Sequence, residues 1–135
     1  MPESIPDGFM DLFERESLAV VGTVSPDGIP HLTPVWIDYD GEKDRLLINT
    51  TDNRRKVKNV LNNPRVGICV LDPETPYRYL SIQGDVDGVR KQGAMEHIDE
   101  MAARYMDVEE YPNKDVEEGE RVVLEIRSDN VMTYE

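Results

Sequence analysis

The chain has 135 residues, of which 39% are apolar and 32% charged, and its 28 acidic and 15 basic side chains give a net charge of -13. That length is one domain, 1–135, large enough to bury a core without staples; with Cys69 as the only cysteine, an internal disulfide is excluded. The acid excess argues against general binding to nucleic acid or to an anionic membrane, and no run approaches the roughly 18 apolar residues of a membrane-spanning helix.

Met1 to Gly8 is polar and acidic. It has neither the basic start nor the apolar run of a signal peptide, so a cytoplasmic protein is expected. Asp7 to Glu16 reads as a short helix, with Asp7 as N-cap and Phe9, Leu12 and Phe13 on one face. Leu18 to Val24 is a strand. Ser25-Pro26-Asp27-Gly28 is a turn, because Pro suits its second position and Gly accepts positive φ. Ile29 to Asp40 is the return strand. Pro30 and Pro34 cannot donate ladder hydrogen bonds, which puts this strand at an edge or a bulge. Asp40-Gly41 marks a second hairpin, and Arg45 to Thr50 is the third strand.

Asp52 is the expected cap of a helix running to about Asn62, with Val57, Val60 and Leu61 as its buried stripe and Pro64 as its breaker. Val66 to Leu71 is a fourth strand, and Tyr77 to Val89 is a long fifth one. Lys91 to Met106 is a second substantial helix, with Met95, Ile98, Met101, Ala102 and Tyr105 at helical spacing. An acidic loop covers Asp107 to Glu118. Arg121 to Arg127 is the sixth strand, followed by a short tail. Strands joined by hairpins, plus about three helices, predict a mainly β, α+β fold: an antiparallel six-stranded barrel decorated by helices. The four-residue turn between the first two strands argues against a doubly wound parallel sheet.

One segment departs from the acidic background. Arg54, Arg55, Lys56 and Lys58 place four of the 15 basic residues within five positions. Strand end, the hydroxyls of Thr50 and Thr51, helix start and basic side chains together make a plausible phosphate cradle. A solvated face that neutralises nearby carboxylates is an equal reading of the same segment. Trp36, the single tryptophan, follows Pro34 in a stretch where backbone groups are free to meet a planar ring; filling the core is the simpler role. Cys69 sits in an apolar run as a small buried hydrophobe. His31 and His97 have no metal-site spacing and read as surface or hydrogen-bonded structural residues. No metal site, phosphate loop, dinucleotide fingerprint or Ser-His-Asp arrangement can be assembled, and no catalytic side chain is identified. The acidic surface fits either adaptation to a high-salt cytoplasm, where self-repulsion is screened, or an ordinary acidic protein.

Taken in order, the segments Gly22-Thr23-Val24-Ser25-Pro26-Asp27-Gly28-Ile29-Pro30-His31, Thr33-Pro34-Val35-Trp36, Leu47-Ile48-Asn49-Thr50, Arg55-Lys56 with Asn59, Asn63-Pro64-Arg65-Val66, Pro76-Tyr77-Arg78-Tyr79-Leu80 and Gln83-Gly84-Asp85-Val86 form a pattern. Over roughly residues 9–127 the chain resembles the flavin- or deazaflavin-binding split β-barrels of the pyridoxamine 5′-phosphate oxidase-like superfamily. The similarity is greatest to short single-domain members described as F-420-dependent enzymes.

The resemblance implies a split barrel and a homodimer with cofactor sites at the subunit interface. It implies that Thr33, Val35 and Trp36 border the ring system, and that Ile48, Asn49 and Thr50 follow the ribityl chain and phosphate. Arg55 and Lys56 would bind the phosphate, Asn59 would support their helix, and Tyr79 and Gln83 would approach the cofactor. The implied cofactor is F-420 or FMN, and the implied activity is hydride transfer to a small organic substrate. A cofactor that carries the chemistry itself fits the missing catalytic constellation. The chain shows no C-terminal segment of the kind that binds the pyridoxal substrate in true pyridoxamine phosphate oxidases, so vitamin B6 synthesis is not expected. The alternative is a non-catalytic carrier or sensor of a flavin, haem or other tetrapyrrole. A nucleic-acid module using residues 54–58 is disfavoured by charge and by the lack of interleaved aromatics.

Overall fold

The computed structural model describes residues 3–114 and 117–135. A 3-10 helix, Asp7–Phe13, leads into seven strands and two α-helices. These are β1 (Leu18–Val24), β2 (Pro30–Val35), β3 (Asp38–Asp40), β4 (Arg45–Thr51), α1 (Arg55–Asn62), β5 (Arg65–Leu71), β6 (Tyr79–Arg90), α2 (Ala94–Met106) and β7 (Arg121–Tyr134). Among the described residues no helix is long and apolar enough to cross a membrane.

All strand pairs are antiparallel, in the order β2-β1-β5-β6-β7-β4-β3. The two outermost strands, β2 and β3, are separated in the chain by only Trp36 and Ile37. A two-residue link can join the ends of a seven-stranded sheet only if the sheet curls round on itself. The result is a barrel left unpaired between β2 and β3. Its interior holds Leu12, Ile37, Leu46, Ile48, Leu80, Ile82, Leu124 and Ile126, each essentially inaccessible. β6 and β7 serve both halves of the barrel, and two bulges, at Gln83/Gly84 and Val86/Gly88, bend them. Gly84 is required at the first bulge: a Cβ there would lie 2.0 Å from the carbonyl oxygen of Arg127.

Seven strands replace the expected six because the run from Ile29 to Asp40 breaks at Trp36-Ile37. The break is stabilised from α2. The Tyr105 hydroxyl accepts the Ile37 N–H at 3.2 Å and donates to the Ser17 carbonyl at 2.7 Å. Arg104 donates to the Ile37 carbonyl at 3.2 Å and to Asp38 at 3.0 Å. Both backbone groups of Ile37 thus find partners outside a sheet ladder, as buried peptide groups must. The prolines sit as expected, Pro30 opening β2 and Pro34 within it at the sheet edge.

Several boundaries also differ from the sequence reading. β7 continues to Tyr134 rather than ending near Arg127, because Asp129 is absorbed as the extra residue of the first bulge. The first helix is a short 3-10 turn preceded by Pro6, and Asp7 is not its cap. α2 starts at Ala94, after Gly93 turns the chain at φ +77. Asp52 does not cap α1. Its amide and carboxylate both bond the backbone of Glu120, at 2.8 and 3.0 Å, which joins the end of β4 to the start of β7.

Candidate functional site

A cleft of about 460 Å³ opens beside the β2–β3 break. Val35 and Trp36 form one wall and Asn49 and Thr50 of β4 another, while Arg54, Lys56, Tyr111 and Arg121 surround its polar end. β-strand alternation explains part of this composition. Ile48 points into the core and is fully buried, so Asn49 is turned to the opposite face and toward the cleft, while the buried Thr50, on the face of Ile48, also lines it. Trp36 stacks on Tyr105 at 5.0 Å between ring centroids and meets Tyr111 edge-on at 6.1 Å. The guanidinium of Arg121 lies 4.7 Å over the Tyr111 ring.

Electrostatics distinguish this end of the molecule. Among the described residues, each of eleven lysines and arginines makes at least one ion pair. The four that make none are Arg54, Arg55, Lys56 and Lys58, in a chain with 28 carboxylates. Lys56 is only 8% exposed. Burial, and then the charge of Arg54, hold its ammonium below the ordinary lysine value of 10.5. α1 adds to the positive field. It has no acidic residue in its first turn and no side-chain cap, and among the described residues the N–H groups of Arg55 and Lys56 have no acceptor, whereas that of Val57 bonds the Arg54 carbonyl at 3.1 Å. Among the described residues, the cleft lining contains no aspartate, glutamate or histidine.

The residues singled out from sequence are distributed as follows. Val35, Trp36, Asn49, Thr50 and Lys56 come together in the cleft. Arg55 is exposed and lies outside the lining, whereas Arg54, at the N-cap of α1, is inside it. Thr33 sits opposite Val21 on β2, with a buried Oγ1 that has no protein partner among the described residues. Asn59 is buried and donates to Thr23 at 2.9 Å, tying α1 to β1. Tyr79 stacks on Tyr134 at 5.5 Å, away from the cleft. Gln83 lines a separate hollow of about 330 Å³ with Gly22, Arg65 and Asn130.

A family model described as pyridoxamine 5′-phosphate oxidase matches residues 5–134. The chain belongs to this family. Among solved structures, an F420 reductase is 30% identical with a TM-score of 0.80, covering 95% of this chain and 98% of that one. A conserved hypothetical protein from Mycobacterium tuberculosis shares the fold at 19% identity and a TM-score of 0.75, covering 99% and 86%. HupZ from Group A Streptococcus does so at 18% identity and a TM-score of 0.68, covering 96% and 93%.

In this member of the pyridoxamine 5′-phosphate oxidase family, two residues at the polar end of the cleft, Arg121 and Tyr111, escape a reading of the sequence. Arg121 reaches the cleft because the start of β7 pairs with the end of β4, Thr51 opposite Arg121, a partnership that no local pattern announces. Tyr111 lies in an acidic loop without periodicity. Its signal is only that an aromatic residue interrupts a run of carboxylates.

Proposed function

We propose that this protein is an oxidoreductase that holds a deazaflavin (F-420) or FMN in the Trp36 cleft. The observation that carries this reading is the set of four unpaired cations at an uncapped helix start. An acidic chain has carboxylates available to neutralise them and does not use them there. An anionic ligand would lift the unfavourable burial of the Lys56 charge. Lys56, Arg54 and the first N–H groups of α1 are the proposed phosphate ligands. Val35 and Trp36 are proposed to border the ring system, with Asn49 and Thr50 along the chain between ring and phosphate.

F-420 is favoured over FMN on two grounds. The F420 reductase shares 30% identity over nearly the whole chain. Four unpaired cations also exceed the needs of one phosphate, and Arg55 and Lys58 remain for the further anionic groups of an F-420 tail. The bound cofactor supplies hydride chemistry, and the protein contributes binding, orientation and exclusion of water. A lining that, among the described residues, holds no carboxylate or imidazole fits that division of labour. It fits a non-catalytic carrier equally well, and reduction or reoxidation of the bound cofactor by a hydride donor or acceptor separates the two.

A homodimer is part of the proposal. The cleft is open, and Leu18 at its rim is 50% exposed; Leu32 and Ile29, farther along the β1–β2 hairpin, are exposed to a greater degree. A second copy would cover these apolar groups and close the site, and sedimentation analysis would detect it. Fluorescence titration with F-420 and with FMN tests the central reading. Dissociation constants in the micromolar range or below are expected for one or both, with F-420 the tighter. Failure of both to bind would overturn it.

A further inference from the structure

His97 lies outside the cleft, yet it holds one of the cleft's walls in place. Its Nε2 is 2.9 Å from Asp38 Oδ2, and its Nδ1 is 3.1 Å from the side-chain amide nitrogen of Asn49. That nitrogen also donates to the Ala94 carbonyl at 2.8 Å, while Asn49 Oδ1 accepts from Arg121 at 3.2 Å. A carbonyl oxygen can only accept and a guanidinium can only donate. The two contacts therefore fix which end of the Asn49 amide is nitrogen and which is oxygen. Both N–H bonds of that amide are then occupied, by Ala94 and by His97. His97 must accept at Nδ1, and its one proton resides on Nε2, where it is donated to Asp38. Asp38 is fixed in turn by Arg104 at 3.0 Å. Burial works to raise the Asp38 carboxyl, but hydrogen bonds from His97, the Tyr39 amide and Arg104 outweigh it and hold the group below the ordinary aspartate value.

We infer that His97 is a positioning residue that fixes the Asn49 amide with its oxygen on the Arg121 side of the cleft. Asn49 then offers a ligand only an acceptor, because both of its donors are used internally. Asn49 itself gives a phosphate or carboxylate no donor and suits a hydroxyl or ring N–H, while positive charge on that side comes from Arg121, 3.2 Å from its oxygen. In the cleft, Arg54 and Lys56 are placed to take an anion, and the Asn49 oxygen to take a hydrogen-bond donor such as a hydroxyl of a polyhydroxylated chain. This selectivity rests on the cofactor reading of the cleft, but the state of His97 does not.

Two measurements test the inference separately. Nitrogen-15 NMR of the imidazole in the cofactor-free protein at neutral pH should show Nε2 protonated and Nδ1 bare; a protonated Nδ1 overturns the inference with no cofactor involved. Two variants then divide the contacts. His97→Gln places an amide donor near Asp38 and loses the acceptor for Asn49, whereas His97→Asn keeps an acceptor for Asn49 and loses the bond to Asp38. With folding verified by thermal melts, His97→Gln should weaken F-420 or FMN binding roughly five- to tenfold, the ratio expected for one misplaced hydrogen-bonding group, and His97→Asn should restore most of it. Competition by inorganic pyrophosphate, which needs only the cations, should be the same in all three proteins. If wild type binds cofactor and His97→Gln binds it equally well, or if both variants weaken it alike, the positioning role is wrong. If wild type binds neither cofactor, the proposed function fails, and the NMR result still decides the state of His97.

Discussion

Two cationic regions of this protein are built on opposite principles. Around the 3-10 helix and the β5–β6 loop, Arg15 and Arg78 are saturated with partners. Arg78 bonds Asp72 at 2.8 Å and Asp11 at 2.9 Å, and its guanidinium lies 4.6 Å over the Phe9 ring; Arg15 reaches the same two carboxylates. The backbone N–H of Glu74, then Arg78, hold the Asp72 carboxyl far below the usual range, and Arg78 is raised in return. At the start of α1 the charges are unmatched, and Lys56 is shifted in the unfavourable direction. On the proposed function, the difference separates charge used to hold the fold from charge held ready for a ligand. Paired charges stabilise the chain that contains them, whereas unpaired buried ones cost stability until something binds.

The comparison can be broken at the paired end with the largest effect. Asp72→Ala leaves two arginines and the Glu74 and Thr75 amides without their common acceptor. The melting temperature should fall by roughly 10 °C, while cofactor affinity of the folded protein stays unchanged. A fall in affinity matching the fall in stability would mean that the two regions are not independent. Tyr105→Phe should cost about 1–3 kcal/mol in urea denaturation, since the buried Ile37 N–H and Ser17 carbonyl lose their partner. It should also weaken cofactor binding, because the Trp36 wall depends on that break.

Acid should erode the paired carboxylates, at that end and beside His97, rather than the α1 cluster. Asp11, Asp38 and Asp72 all sit below the ordinary value of 3.8 in the folded protein. Carboxyls depressed in this way contribute stability that is fully present above that value and is lost as pH falls through their folded-state values. Urea midpoints should therefore be flat near neutrality and decline only below about pH 4; a decline beginning at pH 6 would point to other groups. The smallest effects are expected within the cluster itself. Arg54→Ala should weaken F-420 binding about tenfold, and Arg55→Ala and Lys58→Ala only about twofold. Equal losses at all three positions would reduce the helix to diffuse charge.

How much of this was legible in the sequence follows from the range of each interaction. β1 and β2 could be read because Ser25-Pro26-Asp27-Gly28 joins two alternating runs locally. The basic cluster, Thr50 and Trp36 could be singled out because their residue types are unusual in their surroundings, whereas Asn49 entered only through the family resemblance. The break at Ile37 could not, because its partner Tyr105 lies 68 positions away. His97 read as a structural histidine for the same reason: Asn49 is 48 positions away and Asp38 is 59. The division between Arg54 and Arg55 depended on where α1 begins. A helix capped by Asp52 would have rotated the cluster differently from one whose N-cap is Arg54.

Lys56→Met tests the central claim most directly, with thermal melts recorded with and without F-420. The account predicts that the unliganded variant melts roughly 4 °C higher than wild type at neutral pH, because an unpaired buried charge is gone. Since the folded-state value of Lys56 lies below 10.5, that advantage should shrink as pH rises toward 10.5 and the wild-type amine loses its proton. It also predicts that saturating F-420 stabilises wild type strongly and the variant hardly at all. A variant that melts lower than wild type when unliganded, yet is still stabilised fully by F-420, would contradict the account.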